Sequence, residues 1–224
     1  MKRDSVTISK AILMTISIVV LLILTTFLKN ALVYTFNLDD CINLFLSIIL
    51  YSISYILLFI IYNINPFSLL KNSFEFKGIL IIFVGFIISL FSEIFINSII
   101  PAKIENSINI YSLIEKNTID VPLHGIYAAL YLIVVTVILA PIFEEITYRG
   151  IIFDKLKNKI TPGIAIIISS ILFGFSHLTL GNGIDGFIFG IISGIIYLKF
   201  NNLKYNITIH SLMNIITFLI LLFK

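Results

Sequence analysis

The sequence predicts an all-α protein, a polytopic transmembrane helix bundle of about seven spans with its polar motifs gathered in the last four helices. Three observations predict it. Of 224 residues, 59% are hydrophobic and only 12% charged, where a soluble domain carries about 25% charged residues. The mean hydropathy is +1.10. Apolar runs recur at close to the roughly 20 residues that a helix needs to cross the hydrocarbon core.

The spans follow from a hydropathy window of that length. The first covers 11–28 behind Lys2, Arg3 and Lys10. It resembles a secretory leader, but it exceeds the usual apolar region of about 7–15 residues and lacks a small-residue cleavage site, so a retained span is expected. The second and third cover 42–62 and 79–100. A polar connector from Pro101 to Gly125, holding Pro122 and His124, precedes the fourth at 126–143. That helix is expected to kink at Pro141 and to continue to about Asn158. Lys159, Ile160 and Thr161 then turn the chain, and Pro162 and Gly163 open the fifth span at 163–178. The sixth, 184–200, carries Gly186, Gly190 and Gly194 every fourth residue, a small face suited to close helix approach. The seventh covers 205–223 after a turn near Asn201 and Asn202. Residues 1–122 form a three-span front with its outer loop, and 123–224 a four-span back.

Charge gives orientation. With a cytoplasmic N-terminus, the inner segments hold Lys2, Arg3, Lys10, Lys71, Lys77, Arg149, Lys155, Lys157, Lys159, Lys199 and Lys204, eleven of the fifteen basic residues. That matches the positive-inside rule. An integral, multi-pass protein of a bacterial cell membrane is expected, with the lipid bilayer as solvent and no nucleic-acid partner. The single Cys41 excludes an internal disulfide and reads as packing.

Chemistry is concentrated in Glu144-Glu145-x-x-x-Arg149, Phe173-x-x-x-His177 and His210-x-x-x-Asn214. Ionisable groups at membrane depth point to function by default. At a rise of 1.5 Å per residue, Glu145 and His177 each lie about 22 Å from the turn between them, and His210 and Asn214 about 12 and 18 Å from theirs. The motifs can therefore share one layer, expected to open toward the cytoplasmic side. Glu145 and Arg149 stand i,i+4 with the acid first, the favoured ion-pair order. Glu144 is turned about 100° away and is the freer carboxylate. A free Glu beside a His can take a proton from water, and a His with an Asn can hold a developing oxyanion.

The segments Pro141–Gly150, Ser169–Leu178, Asn202-Leu203 and Ile209–Ile215 resemble the motifs of the CPBP family, the CAAX-prenyl-protease and bacteriocin-processing intramembrane proteases also called Abi. The resemblance covers about residues 123–224. It implies that this back part is a catalytic core hydrolysing a peptide bond in a small membrane-associated peptide or protein precursor. Glu144 and His177 would activate the water, His210 and Asn214 would hold the oxyanion, and Glu145 with Arg149 would fix the helix electrostatics. No cofactor is required on this reading. A divalent metal such as zinc, which needs about three protein ligands, would take Glu144, His177 and His210. The CAAX substrate itself is not carried over, and a leader peptide, pheromone or bacteriocin precursor is expected instead.

Two other readings compete. A non-catalytic immunity or scaffold protein would keep the fold and bind a partner. A small transporter would use the polar layer as a pathway, against the absence of internal repeats. Taken alone, each motif has a blander reading: a solvated ion pair, an interhelical hydrogen bond, a packing stripe. Glu93 is expected at the outer interface, with a cavity-facing position as the second reading, and Asp185 is expected at the interface.

Overall fold

A computed structural model describes residues 8–73, 75–99, 125–177 and 180–222. Among them every regular element is helical: α1 (Ile8–Phe36), α2 (Asp40–Ile61), α3 (Lys77–Ile99), α4 (residues 125–156), α5 (Pro162–Phe175), α6 (Leu180–Phe200) and α7 (Leu203–Leu222), with a 3₁₀ turn at Pro66–Leu70. Each of the seven falls where the hydropathy pattern puts one. The connector 101–124, with His124, lies outside the described residues.

Five helices, α1, α2, α3, α4 and α6, are long and apolar enough to cross a membrane. α5 has 14 residues, about 21 Å of helix against a hydrocarbon core of about 30 Å. α7 is long enough, but its first half carries Lys204, Asn206 and His210. Large apolar side chains such as Leu24 and Phe27 on α1, Phe83 and Phe91 on α3, and Ile171 and Phe175 on α5 are exposed. In water such faces would associate; in a bilayer they meet lipid.

Local chemistry sets the helix ends. Asp39 caps α2, its carboxylate accepting from the Ile42 N–H at 2.8 Å, and Cys41 sits half-buried in the first turn. Pro162 opens α5 as a first-turn residue, where its missing N–H costs nothing. α5 stops earlier than its apolar run suggests: Ser176 caps it and His177 lies in the turn beyond.

α4 departs most from expectation. Its helix runs through the Glu pair, but Leu132–Leu139 and Ile146–Phe153 are π-helical, with Ala140–Glu145 a short α-helical stretch between them. The Ala140 N–H bonds to Val135 O, five residues back. In that register Pro141 would face Thr136 O, and proline has no N–H to offer. Thr136 O instead accepts from the Asn214 amide of α7, at 2.6 Å. The predicted kink is thus realised as a wide-turned helix with one carbonyl released to a neighbour.

One core joins front and back. Met14 and Ile18 of α1, Tyr55 and Leu58 of α2, Ile146, Tyr148, Ile152 and Phe153 of α4, Phe173 of α5 and Tyr197 of α6 belong to it, all buried. Tyr55 and Phe143 stack at 4.9 Å. α5 and α6 form the closest pair, and the sixth-span glycines make this approach. A methyl group at Gly190 would come within 2.8 Å of Ser170 Cβ, and one at Gly186 within 3.1 Å of His177 Nδ1. The packing reading of the stripe holds, with Gly186 also making room for an imidazole. At one end of the bundle the Asn72 amide donates to Asn201 O and the Asn202 amide to Ser73 O. The α2–α3 and α6–α7 connectors are thereby clasped on the same face as Lys155, Lys157 and Lys159.

Candidate active site

α4 brings Glu144, Glu145 and Arg149; the turn after α5 brings His177; α7 brings His210 and Asn214. The Glu145 carboxylate is the organising group. Its Oε1 lies 3.1 Å from Arg149 Nη1 and 3.2 Å from His210 Nδ1, and its Oε2 accepts from the Ser193 hydroxyl at 2.8 Å. Ser193 in turn accepts from the Asn206 amide at 2.7 Å. Glu145 is 0% and Arg149 1% exposed. Burying two charges is tolerated when they neutralise each other, and among the described residues the guanidinium nitrogens have the Glu145 ion pair but no hydrogen-bond partner. The guanidinium also lies 4.4 Å above the Phe173 ring and 5.7 Å from Phe189, a cation–π arrangement suited to a weakly hydrated cation.

This network sets the histidine tautomers. A carboxylate held by Arg149 can only accept, so His210 Nδ1 carries the proton and Nε2 is left for other partners. His177 Nδ1 stands 2.9 Å from Phe173 O; a carbonyl accepts, so here too Nδ1–H is used and Nε2 remains. Both rings meet Phe173 edge-on, at 4.7 and 5.8 Å, and Phe189 lies 4.7 Å from His210. Glu144 Oε2 faces His210 Nε2 at 3.8 Å, beyond hydrogen-bond length. Among the described residues no hydrogen bond joins Glu144 to His177.

A cavity of about 250 Å³ runs along His177, His210 and Asn214, with Phe173, Phe189, Ser89, Glu93 and Asp185 also in its wall. Glu93 lines the cavity, the second position considered from sequence, and Asp185 lines it too. The cavity extends from the motif layer away from the lysine-bearing turns, whereas the sequence placed the opening on their side. Glu144 touches His210 without belonging to the cavity wall. Accordingly, among the described residues no three His, Cys, Asp or Glu side chains are gathered closely enough to hold a metal ion. The conditional set Glu144, His177 and His210 is not assembled in that way.

Sequence reasoning brought the six residues together but missed Ser193, Asn206 and the Thr136 carbonyl. Asn206 had a usable signal, since it stands four residues before His210 and shares its face. Ser193, beside the glycine stripe, reads as one more small packing residue.

Residues 126–216 match the family described as "Rce1-like: Type II CAAX prenyl endopeptidase Rce1-like". A Bacillus subtilis strain 168 protein named "Putative membrane peptidase YdiL" is 32% identical over 144 residues, which is 62% of this chain and 53% of that one. A Mycoplasma capricolum subsp. capricolum protein, named only "Uncharacterized protein", is 34% identical over 102 residues, 43% of this chain and 29% of the other. The chain thus spans about half, or less, of the length of these curated relatives. No solved structure matches it significantly.

Proposed function

We propose that the chain, whose residues 126–216 match the Rce1-like family of CAAX prenyl endopeptidases, is an intramembrane endopeptidase acting on a small membrane-associated peptide or protein precursor. One observation carries this reading. Two imidazoles, one from the turn after α5 and one from α7, line a single cavity, their Nε2 atoms uncommitted among the described residues, and a carboxylate stands 3.8 Å from one of them. A scaffold needs no such arrangement.

In the proposed reaction a water enters between Glu144 and the histidines. Glu144 takes its proton as general base, with His177 Nε2 accepting a second hydrogen bond from the same water. The oxygen attacks the scissile carbonyl. Asn214 has one N–H on Thr136 O and keeps the other for the developing oxyanion. His210 keeps Nδ1–H on Glu145, takes a proton from cavity water at Nε2 as the oxyanion develops, donates that Nε2–H to it, and returns the proton to water when product leaves. Collapse of the tetrahedral intermediate returns the proton from Glu144 to the leaving amine. Glu145 and Arg149 act through His210 and are positioning residues. The separation of Glu144 from its partners is of the kind that closes only when substrate binds.

We propose that the mechanism is metal-free, with Glu144 and His177 supplying the water activation. Cleavage by the purified protein in liposomes is expected to persist at its full rate in a strong zinc chelator. Loss of activity with the chelator, restored by adding zinc, would assign the site to a metal.

The rival binding role is separated by cells expressing the wild-type chain or Glu144→Ala/His177→Ala. Their membrane peptidomes are expected to differ, one precursor accumulating uncut with the variant. Identical peptidomes, with the chain's cellular role intact in the variant, would make it a binding protein. A proton or ion pathway through the same polar layer predicts flux in liposomes instead.

A further inference from the structure

The cavity approaches the proposed reacting groups from one end of the bundle. Counting from the clasped turns at 1.5 Å per residue, His210 lies about 10 Å along α7, Asn214 about 16 Å and Thr217 about 21 Å. On the same scale Ser92 and Glu93 lie about 22 and 24 Å along α3, and Asp185 and Asn182 about 22 and 27 Å along α6 from Phe200. All seven line the cavity. Its innermost wall is therefore a third of the way across the bilayer from the clasped face, and its outermost wall is close to the other face.

Among the described residues the opposite direction is shut. Below His210 stand the buried Glu145–Arg149–Ser193–Asn206 network and then Phe153, Leu156, Tyr197 and Leu203, none more than 6% exposed. Phe153 and Tyr197 meet edge-to-face at 6.0 Å, with Lys157 Nζ over both rings. A peptide arriving from the clasped face would have to displace an aromatic plug and a buried ion pair.

The clasped face is the basic one. Lys71, Lys155, Lys157, Lys159, Lys199 and Lys204 belong to its turns and helix ends, while the turn between α1 and α2 at the other end carries Asp39 and Asp40. Lysine-rich short connectors remain in the cytoplasm. We propose that the cavity opens on the extracytoplasmic side, so that the substrate class is a membrane-anchored segment presented at the outer surface. The substrate part of this inference rests on the peptidase reading; the direction of opening does not.

Directional labelling tests it. In a Cys41→Ser background, Asn182→Cys and Thr217→Cys are expected to react with a membrane-impermeant maleimide on intact cells and to be protected in sealed inside-out vesicles. Lys157→Cys is expected to show the reverse. Labelling of Asn182→Cys and Thr217→Cys only from inside-out vesicles, alongside Lys157→Cys, overturns the proposal, as does labelling from neither side until detergent is added. Each variant is first required to elute from size exclusion as the wild type does, with Ser92→Cys replacing one that does not. Labelling needs no turnover. An inert enzyme with outer-side labelling would therefore sink the peptidase reading alone, and an active one labelled from the basic side would sink only the direction of access.

Discussion

Glu144→Gln is expected to stop peptide cleavage while leaving the protein folded. The substitution keeps the shape and hydrogen-bonding reach of the side chain but removes its ability to take a proton from water. Loss of a general base lowers the chemical step by about 10²–10⁴-fold. The fold is spared because the structural charge is its neighbour: Arg149 is paired with Glu145 at 3.1 Å, while Glu144 keeps 16% of its side chain accessible and stands 3.8 Å from His210. Single-turnover cleavage in liposomes, with elution and melting of the variant compared with the wild type, checks both halves. Activity within a few-fold of wild type in a folded Glu144→Gln protein would remove the proposed base.

Glu145→Ala is expected to fail differently. It strands a guanidinium that is 1% exposed, and also strips Ser193 and His210 of their acceptor. Breaking one partner of a buried ion pair costs about 3–5 kcal/mol, a large part of the stability of a domain of this size. Yield of folded protein and resistance to denaturant in micelles are expected to fall together. The decisive comparison is Glu145→Leu/Arg149→Met. Removing both charges from a buried pair is often neutral, so the double variant is expected to recover stability while cleavage stays low, His210 having lost its orienting carboxylate. Recovery of full cleavage in that variant would show that Glu145 does not act through His210.

These two contrasts rest on residues that spacing alone singled out. An i,i+4 acid–base pair and a Glu rotated off it are legible because helical periodicity fixes which face a residue occupies. What periodicity does not give is how far neighbouring helices slide past one another or where each stops. That is why His177 appears in a turn and not within a span. Pro141 shows the same limit. Its effect on the helix is predictable in kind, but the destination of the carbonyl it frees depends on Asn214, 78 residues away in sequence. Ser193 was illegible for a simpler reason, and Asn206 offered only the signal of sharing a face with His210. Hydroxyls and amides are common at helix contacts in membranes, so a sequence does not say which of them completes a buried network.

The brevity of α5 has a consequence for the surrounding lipid. α1 has 29 residues and α5 only 14, so the hydrophobic girdle of the molecule is tall on one flank and low on the other. Among the described residues of α5, acyl chains have Ile164, Ile167, Ile171 and Phe175 to cover. A bilayer adapts to a short wall by thinning, which draws headgroups and their hydration down toward the depth of His177. A shallow, wet approach is then expected on that flank, and the chain length of the host lipid is expected to modulate the protein's behaviour.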